Sequence, residues 1–234
     1  MRIPIIDDLT TTPIPATSNL LVEFDADSQW YNMSFTLAAD WMKKGGTVSY
    51  NLTMRSPDKF RSVLGRHGLD VMELERNDKL RIQDYHTATL GRPTAEVHGY
   101  KSLKVHDLSV DWARIAHLSE SEPETGLLRV WDNLSTLGRF NEEKNWVEFV
   151  LSRELLLGVS LGATTLHGIV KGVHEAWIYR RLEDAHDGTI DIKLTEDADQ
   201  TRDMIRIRTM REVGFDRKWH QLTETENLEI HLAK

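Results

Sequence analysis

The sequence contains no cysteine. That absence excludes a disulfide framework, a thiolate metal site and a cysteine nucleophile together. Long apolar runs are also missing, and none approaches the ~18 residues that suggest a membrane-spanning helix. The N-terminal MRIPIIDDLTTTPIP lacks a signal-peptide profile, so a cytoplasmic location is expected. The Asn-x-Ser/Thr triplets at Asn32, Asn51 and Asn133 then read as chance matches. Basic charge is in deficit, with 29 Lys and Arg against 37 Asp and Glu and a net charge of −8. Nucleic-acid backbones are held by cations that neutralise phosphates, so nucleic acid is disfavoured as a partner. The chain has no G-x-S-x-G, no Ser/His/Asp order and no paired carboxylates at glycosidase-like positions. Its ten histidines include His98 with His106 and His167 with His174, neither at H-E-x-x-H or similar ligand spacing. The acidic stretch Glu196, Asp197 and Asp199 lacks the residue order and glycine of an EF-hand. No metal and no cofactor are expected.

What is present suits one α/β domain. A chain of 234 residues, 40% hydrophobic and 28% charged, is long enough to bury a sizeable core. Apolar runs alternate with amphipathic stretches, the pattern of a mainly parallel sheet covered by helices. The expected strands are Leu20–Val22, Thr47–Leu52, Leu80–Asp84, Leu127–Asp132, Ala163–Val170 and Thr189–Leu194. Ser56-Pro57-Asp58 predicts a helix start, with Gly68 as its stop. Asp107 is expected to cap a helix carrying Leu108, Trp112 and Ile115, and a long helix is expected from about Asn141 to Leu161. Residues 86–106 are polar, contain Gly91, Pro93 and Gly99, and read as a long loop. Met204–Met210, Trp219–Thr223 and Leu228–Leu232 alternate polar and apolar side chains, predicting an antiparallel meander over 203–234 with one wet face. Residues 1–18 form an N-terminal segment.

Residues 19–45 have the outline of a phosphate-binding loop without its chemistry. Leu20, Leu21 and Val22 lead into a short loop, and Met33, Leu37 and Trp41 follow at helical spacing. Strand–loop–helix is the setting in which G-x-x-x-x-G-K-[ST] cradles a triphosphate. Here the loop reads Phe24, Asp25, Ala26, Asp27, Ser28, Gln29, Trp30, Tyr31. Backbone amides wrap a phosphate only when the loop reaches conformations that glycine permits. Asp25 and Asp27 add negative charge, and no lysine in the loop offsets it.

The order of elements resembles the RecA-like ATPase superfamily, in particular the archaeal KaiC-like branch. LLVEFDADSQWY stands in register with the Walker A strand and loop, and LLRVWDNLS is similar to the Walker B strand, with Asp132 at the magnesium position. Asp8-Leu9 with Ile14-Pro15, LEDAHDGTIDIKL and RIRTMREVGFDRKWH resemble three further family segments in the family's order. The resemblance implies a RecA-like three-layer α/β/α fold with a mainly parallel sheet. It also marks departures. After the second strand, where relatives carry catalytic acids, the chain has Asn51-Leu52-Thr53-Met54-Arg55, and Thr209 replaces a lysine that reaches a neighbouring subunit. Of the parts hydrolysis requires, only Asp132 remains, so ATPase activity is expected to be lost.

Each singled-out residue carries two readings. Asp132 is a metal ligand or, preferred, an acid ordering a loop at a strand end. Trp30 and Tyr31 stack on a base or partner, or fill the volume a nucleotide would occupy. Arg206 and Arg208 share one strand face and Arg211 takes the other. Arg208, Arg211 and Trp219 are candidate subunit-interface residues, although core packing is the safer expectation for Trp177 and Trp219. The leading expectation is a non-hydrolysing pseudo-ATPase that regulates or scaffolds through a protein partner or an active paralogue, and that also forms homo-oligomers. The alternatives are a sensor binding a nucleotide or other small molecule without hydrolysis, and a recombination-linked DNA-binding accessory.

Overall fold

The computed structural model describes residues 2–110, 126–197 and 200–233. Among the described residues ten strands form one sheet in the order β10-β9-β8-β7-β1-β6-β5-β2-β3-β4. The central strands are β1 (Asn19–Phe24), β2 (Thr47–Leu52), β3 (Leu80–Asp84), β5 (Leu127–Trp131), β6 (Ala163–Val170) and β7 (Gly188–Asp197), with the short β4 (His98–Gly99) at one edge. These seven run parallel to one another. β8 (Gln200–Met210), β9 (His220–Glu224) and β10 (Ile230–Leu232) continue the sheet antiparallel, as the alternating C-terminal pattern predicts.

Every residue of β1 and β2 is buried, because a parallel strand covered on both faces has no wet side. Leu20, Val22 and Phe24 point to one layer, which contains α1 (Trp30–Lys43), α2 (Pro57–Arg66) and α3 (Val71–Arg76). Leu21 points to the other, where it joins Trp146, Val150, Ile178 and Leu182. That second layer is built from α6 (Glu143–Phe149), a π-helical turn (Val150–Glu154), α7 (Leu155–Ser160) and α8 (Ala176–Ala185). The fold is a three-layer α/β/α sandwich.

Local chemistry explains several boundaries. Ser56 Oγ accepts the Lys59 amide and Pro57 takes the first turn of α2, while Gly68 at φ +78° lies just past its end. The predicted loop 86–106 is more structured than its composition suggests. It holds the four-residue α4 (His86–Thr89), β4, and the beginning of a helix, α5, over residues 105–110. Asp107 therefore lies inside that helix and does not cap it, and Trp112 and Ile115 lie outside the described residues. The N-terminal segment is tied down by Asp7, whose carboxylate accepts the amides of Ile3 and Ile14. Thr11 and Leu9 then bond the 214–216 backbone. Among the described residues no helix is long and apolar enough to cross a membrane.

Candidate functional site

β1 ends at Phe24 and the chain turns through 25–29 into α1. The Ser28 amide and hydroxyl both donate to the Asp25 carbonyl, at 2.9 and 2.7 Å, closing a compact turn. An α-helix N-terminus carries unpaired amides and a partial positive charge, which attract anions. Here the chain supplies those anions itself. The Gln29 amide donates to the Asp203 carboxylate on β8 at 2.8 Å. Glu224 on β9 accepts from Asn32 Nδ2 at 2.9 Å and from Gln29 Nε2 at 3.3 Å. Asp25 Oδ2 accepts the Leu194 amide at 3.2 Å, and Asp27 is exposed. Burial raises the Asp203 pKa, partly opposed by the Gln29 bond.

Trp30 opens α1 and is fully buried. Its ring lies 5.8 Å from Phe24, and its Nε1 donates to the Asp132 carbonyl at 2.7 Å. The indole approaches β6 so closely that a Cβ added at Gly168 would stand 2.5 Å from Trp30 Nε1. Tyr31 packs edge-on to Phe24, receives a bond from Asn133 Nδ2 at 3.3 Å, and has the Arg55 guanidinium over its ring at 5.7 Å.

The Asp132 carboxylate faces the loop after β2. It accepts the Thr53 amide at 3.0 Å, the Met54 amide at 3.2 Å and the Thr53 hydroxyl at 2.5 Å. The acid is fully buried, and desolvation pushes its pKa up to about 6 despite those donors. Its visible role is to order the 53–54 turn.

A chain of ion pairs runs beside the loop on the α8 side of the sheet. Arg208 meets Glu23 at 2.7 Å, Glu183 at 3.0 Å and Asp191 at 3.7 Å, and Arg206 meets Asp191 at 2.8 Å. Burial, opposed by Arg208, pushes Glu23 up to about 7. Lys171, following β6, stands 3.8 Å from both Asp25 and Asp191, and burial lowers its pKa. Asp25 thus has a lysine that the local sequence did not reveal. Arg211 donates to the Asp184 carbonyl. Arg208 and Arg211, read from the sequence as interface candidates, are both engaged within their own chain. Trp219 is half-buried on the sheet face, with Lys193 Nζ 4.2 Å and Arg206 Cζ 4.4 Å from its ring. Trp177 is 37% exposed, so the expectation of core packing fails there: it occupies the outer face of α8, whose buried residues are Ile178 and Leu182.

Among the described residues no three His, Cys, Asp or Glu groups are placed to hold a metal ion. His167 approaches His186, not His174, with ring nitrogens 3.0 Å apart in the buried layer. His174 instead meets Glu143 at 3.2 Å.

No family model matches the sequence, and no curated protein matches it. Solved structures do match in fold. The chain superposes with a TM-score of 0.72 on a KaiC-like protein of the hyperthermophilic archaeon Pyrococcus horikoshii OT3, at 18% identity, covering 99% of this chain and 96% of that one. The architecture is thus a KaiC-like fold of the RecA type.

Proposed function

We propose that this chain is a non-hydrolysing member of the KaiC-like fold group, acting as a regulatory or scaffolding protein through contacts with other proteins. One observation carries the reading. The helix end that would face a phosphate is already bonded to Asp203, an anion fixed to the fold, with Glu224 and Asp25 beside it. A triphosphate would have to displace that carboxylate against like charge and find room beside a buried tryptophan. Hydrolysis also needs a held metal and an acid that orients water. Asp132 is bonded to Thr53 and Met54, and the 51–55 segment at the end of β2 contains no carboxylate.

The energetic logic favours a constitutive surface. A nucleotide-dependent protein gains order by mass action when ligand binds. Trp30 and Asp203, as parts of the chain itself, supply comparable non-covalent contacts, so the fold is held without ligand. Apolar side chains remain for a partner: Leu156 and Val159 sit three residues apart on α7, 59% and 53% exposed. The partner is a protein, either an active paralogue or a second copy of this chain.

The test measures phosphate release from Mg·ATP together with equilibrium nucleotide binding. The expected result is neither turnover nor a thermal shift with millimolar ATP or ADP. Turnover would refute the reading, and saturable ATP binding without turnover would replace it with a nucleotide sensor.

A further inference from the structure

On the α8 side of the sheet one guanidinium serves three carboxylates. Arg208 Nη2 lies 2.7 Å from Glu23 Oε1 on β1 and 3.0 Å from Glu183 Oε1 on α8. Its Nη1 lies 3.7 Å from Asp191 on β7. Asp191 has a nearer partner in Arg206, at 2.8 Å, and Lys171 stands 3.8 Å from both Asp191 and Asp25. With Arg206 given to Asp191 and Lys171 to Asp25, Glu23 and Glu183 are left to share Arg208. The Tyr179 hydroxyl of α8 also faces this cluster, and it donates to the Val170 carbonyl at 2.7 Å. The surplus negative charge falls on the Glu23–Glu183 pair.

Two carboxyls that share one site and one cation resist ionising together. Glu23 is 4% exposed, whereas the Glu183 side chain is 34% exposed. Desolvation therefore places the proton on Glu23. Burial raises its pKa to about 7 against the pull of Arg208, and the hydrogen bond with Glu183 adds to the rise. When that proton leaves, two carboxylates face each other across a single guanidinium. Glu183 alone has solvent to turn into.

Helix α8 is lightly anchored. Its buried residues are Ile178 and Leu182, and its exposed Arg181 meets Glu148 on α6 at 3.8 Å. Its ties to β8 are the Arg208–Glu183 pair and the bond from Arg211 to the Asp184 carbonyl. Loss of the first leaves the C-terminal half of the helix with little to hold it.

We propose that Glu23 and Glu183 form a proton-operated latch: a proton held on Glu23 keeps Arg208 bridging β1 and α8, and its loss releases Glu183 and loosens α8 from the sheet. A carboxyl raised by folding contributes stability that is fully present below its ordinary value of 4.5 and is lost as pH rises through about 7. The latch thus opens on the alkaline side of neutrality. The His167–His186 pair at the end of α8 takes no part there, because burial lowers both pKa values. The latch concerns movement of α8 and is independent of whether the chain hydrolyses ATP.

Amide hydrogen exchange of the whole protein between pH 6 and pH 8.5, corrected for the intrinsic rise of exchange rate with pH, reads the latch. If opening returns Glu23 to its ordinary value, protection over residues 179–185 should fall about tenfold across that range. Glu23→Gln mimics the protonated acid and should keep protection constant with pH. Glu183→Gln removes the opposing charge and should flatten the dependence and lower the Glu23 midpoint. Carbon-13 NMR of labelled glutamate follows the Glu23 carboxyl in the unsubstituted protein, where a midpoint near 7 is expected. A midpoint near the ordinary value, or pH-independent protection of α8 in the unsubstituted protein, overturns the latch. A pH dependence that survives Glu23→Gln overturns it equally, since it would then belong to Lys171 or another group.

Discussion

Replacing Trp30 with alanine tests the plugged loop most directly. The ring is fully buried against Phe24 and the Gly168 backbone, so truncation opens a space that the sheet, fixed by β1–β6 pairing, cannot collapse to fill. Buried Trp→Ala changes cost roughly 3–5 kcal/mol. The variant also strands the Asp132 carbonyl, which now accepts Trp30 Nε1 at 2.7 Å, and an unmade buried bond adds about 1 kcal/mol. A loss of about 4–6 kcal/mol is therefore expected. At about 2–4 °C per kcal/mol for a chain of this size, that lowers Tm by roughly 8–24 °C. Urea unfolding followed by tryptophan-independent circular dichroism gives the free energy, and the slope must stay constant for the comparison to hold. Trp30→Phe separates the two contributions: it keeps most of the ring, loses the bond, and should cost about 1–2 kcal/mol. A loss within about 0.5 kcal/mol for Trp30→Ala would mean that the ring faces a partner and fills no core volume.

Other consequences concern protonation. Asp132 holds its proton up to about pH 6 in the fold but loses it near 3.8 when unfolded, so its contribution falls as pH rises across that window. The stability gap between wild type and Asp132→Asn should narrow by roughly 2 kcal/mol between pH 4 and pH 6.5, read from urea midpoints. A widening gap would mean that the acid is held ionised. His186, lowered by burial to about 4, resists protonation, so stability is lost as pH falls from 6.5 towards 4. Its imidazole resonances should show no titration above pH 5.5 by NMR, and an inflection near 6.5 would contradict the buried pair. Arg208→Ala leaves Glu23 without its strongest partner. The variant should be destabilised by roughly 2 kcal/mol at pH 8 and by clearly less at pH 5, where Glu23 is protonated. Equal losses at both values would show that Arg208 acts through packing alone.

Much of the fold was legible because local and global signals agree. ATTLHGIV matches β6 residue for residue, and Ser56-Pro57 marks the start of α2 as the capping rule requires. The alternating C-terminal segments became β8 to β10 because one face of each is wet. The loop between β3 and β5 was not legible: α4 has four residues and β4 two, too few for any period to register. At the site, sequence reading found the loop and its aromatic residues but missed the acid at the helix end. Asp203 lies 174 residues from Gln29, and nothing local distinguishes it from any other polar residue on an alternating strand. Lys171 escaped for the same reason, since its meeting with Asp25 depends on β6 lying beside β1. Trp177 misled because helix α8 buries only Ile178 and Leu182, and a residue beside a buried position need not share its face.

The two ends of the sheet are unusually blunt. Among the described residues β4 presents a rim of two residues and β10 a rim of three, so these end strands themselves offer few backbone amides and carbonyls to an incoming chain. Strand addition onto β4 or β10 is thereby discouraged. Side chains on the helical flanks, by contrast, can be substituted without disturbing the ladder beneath.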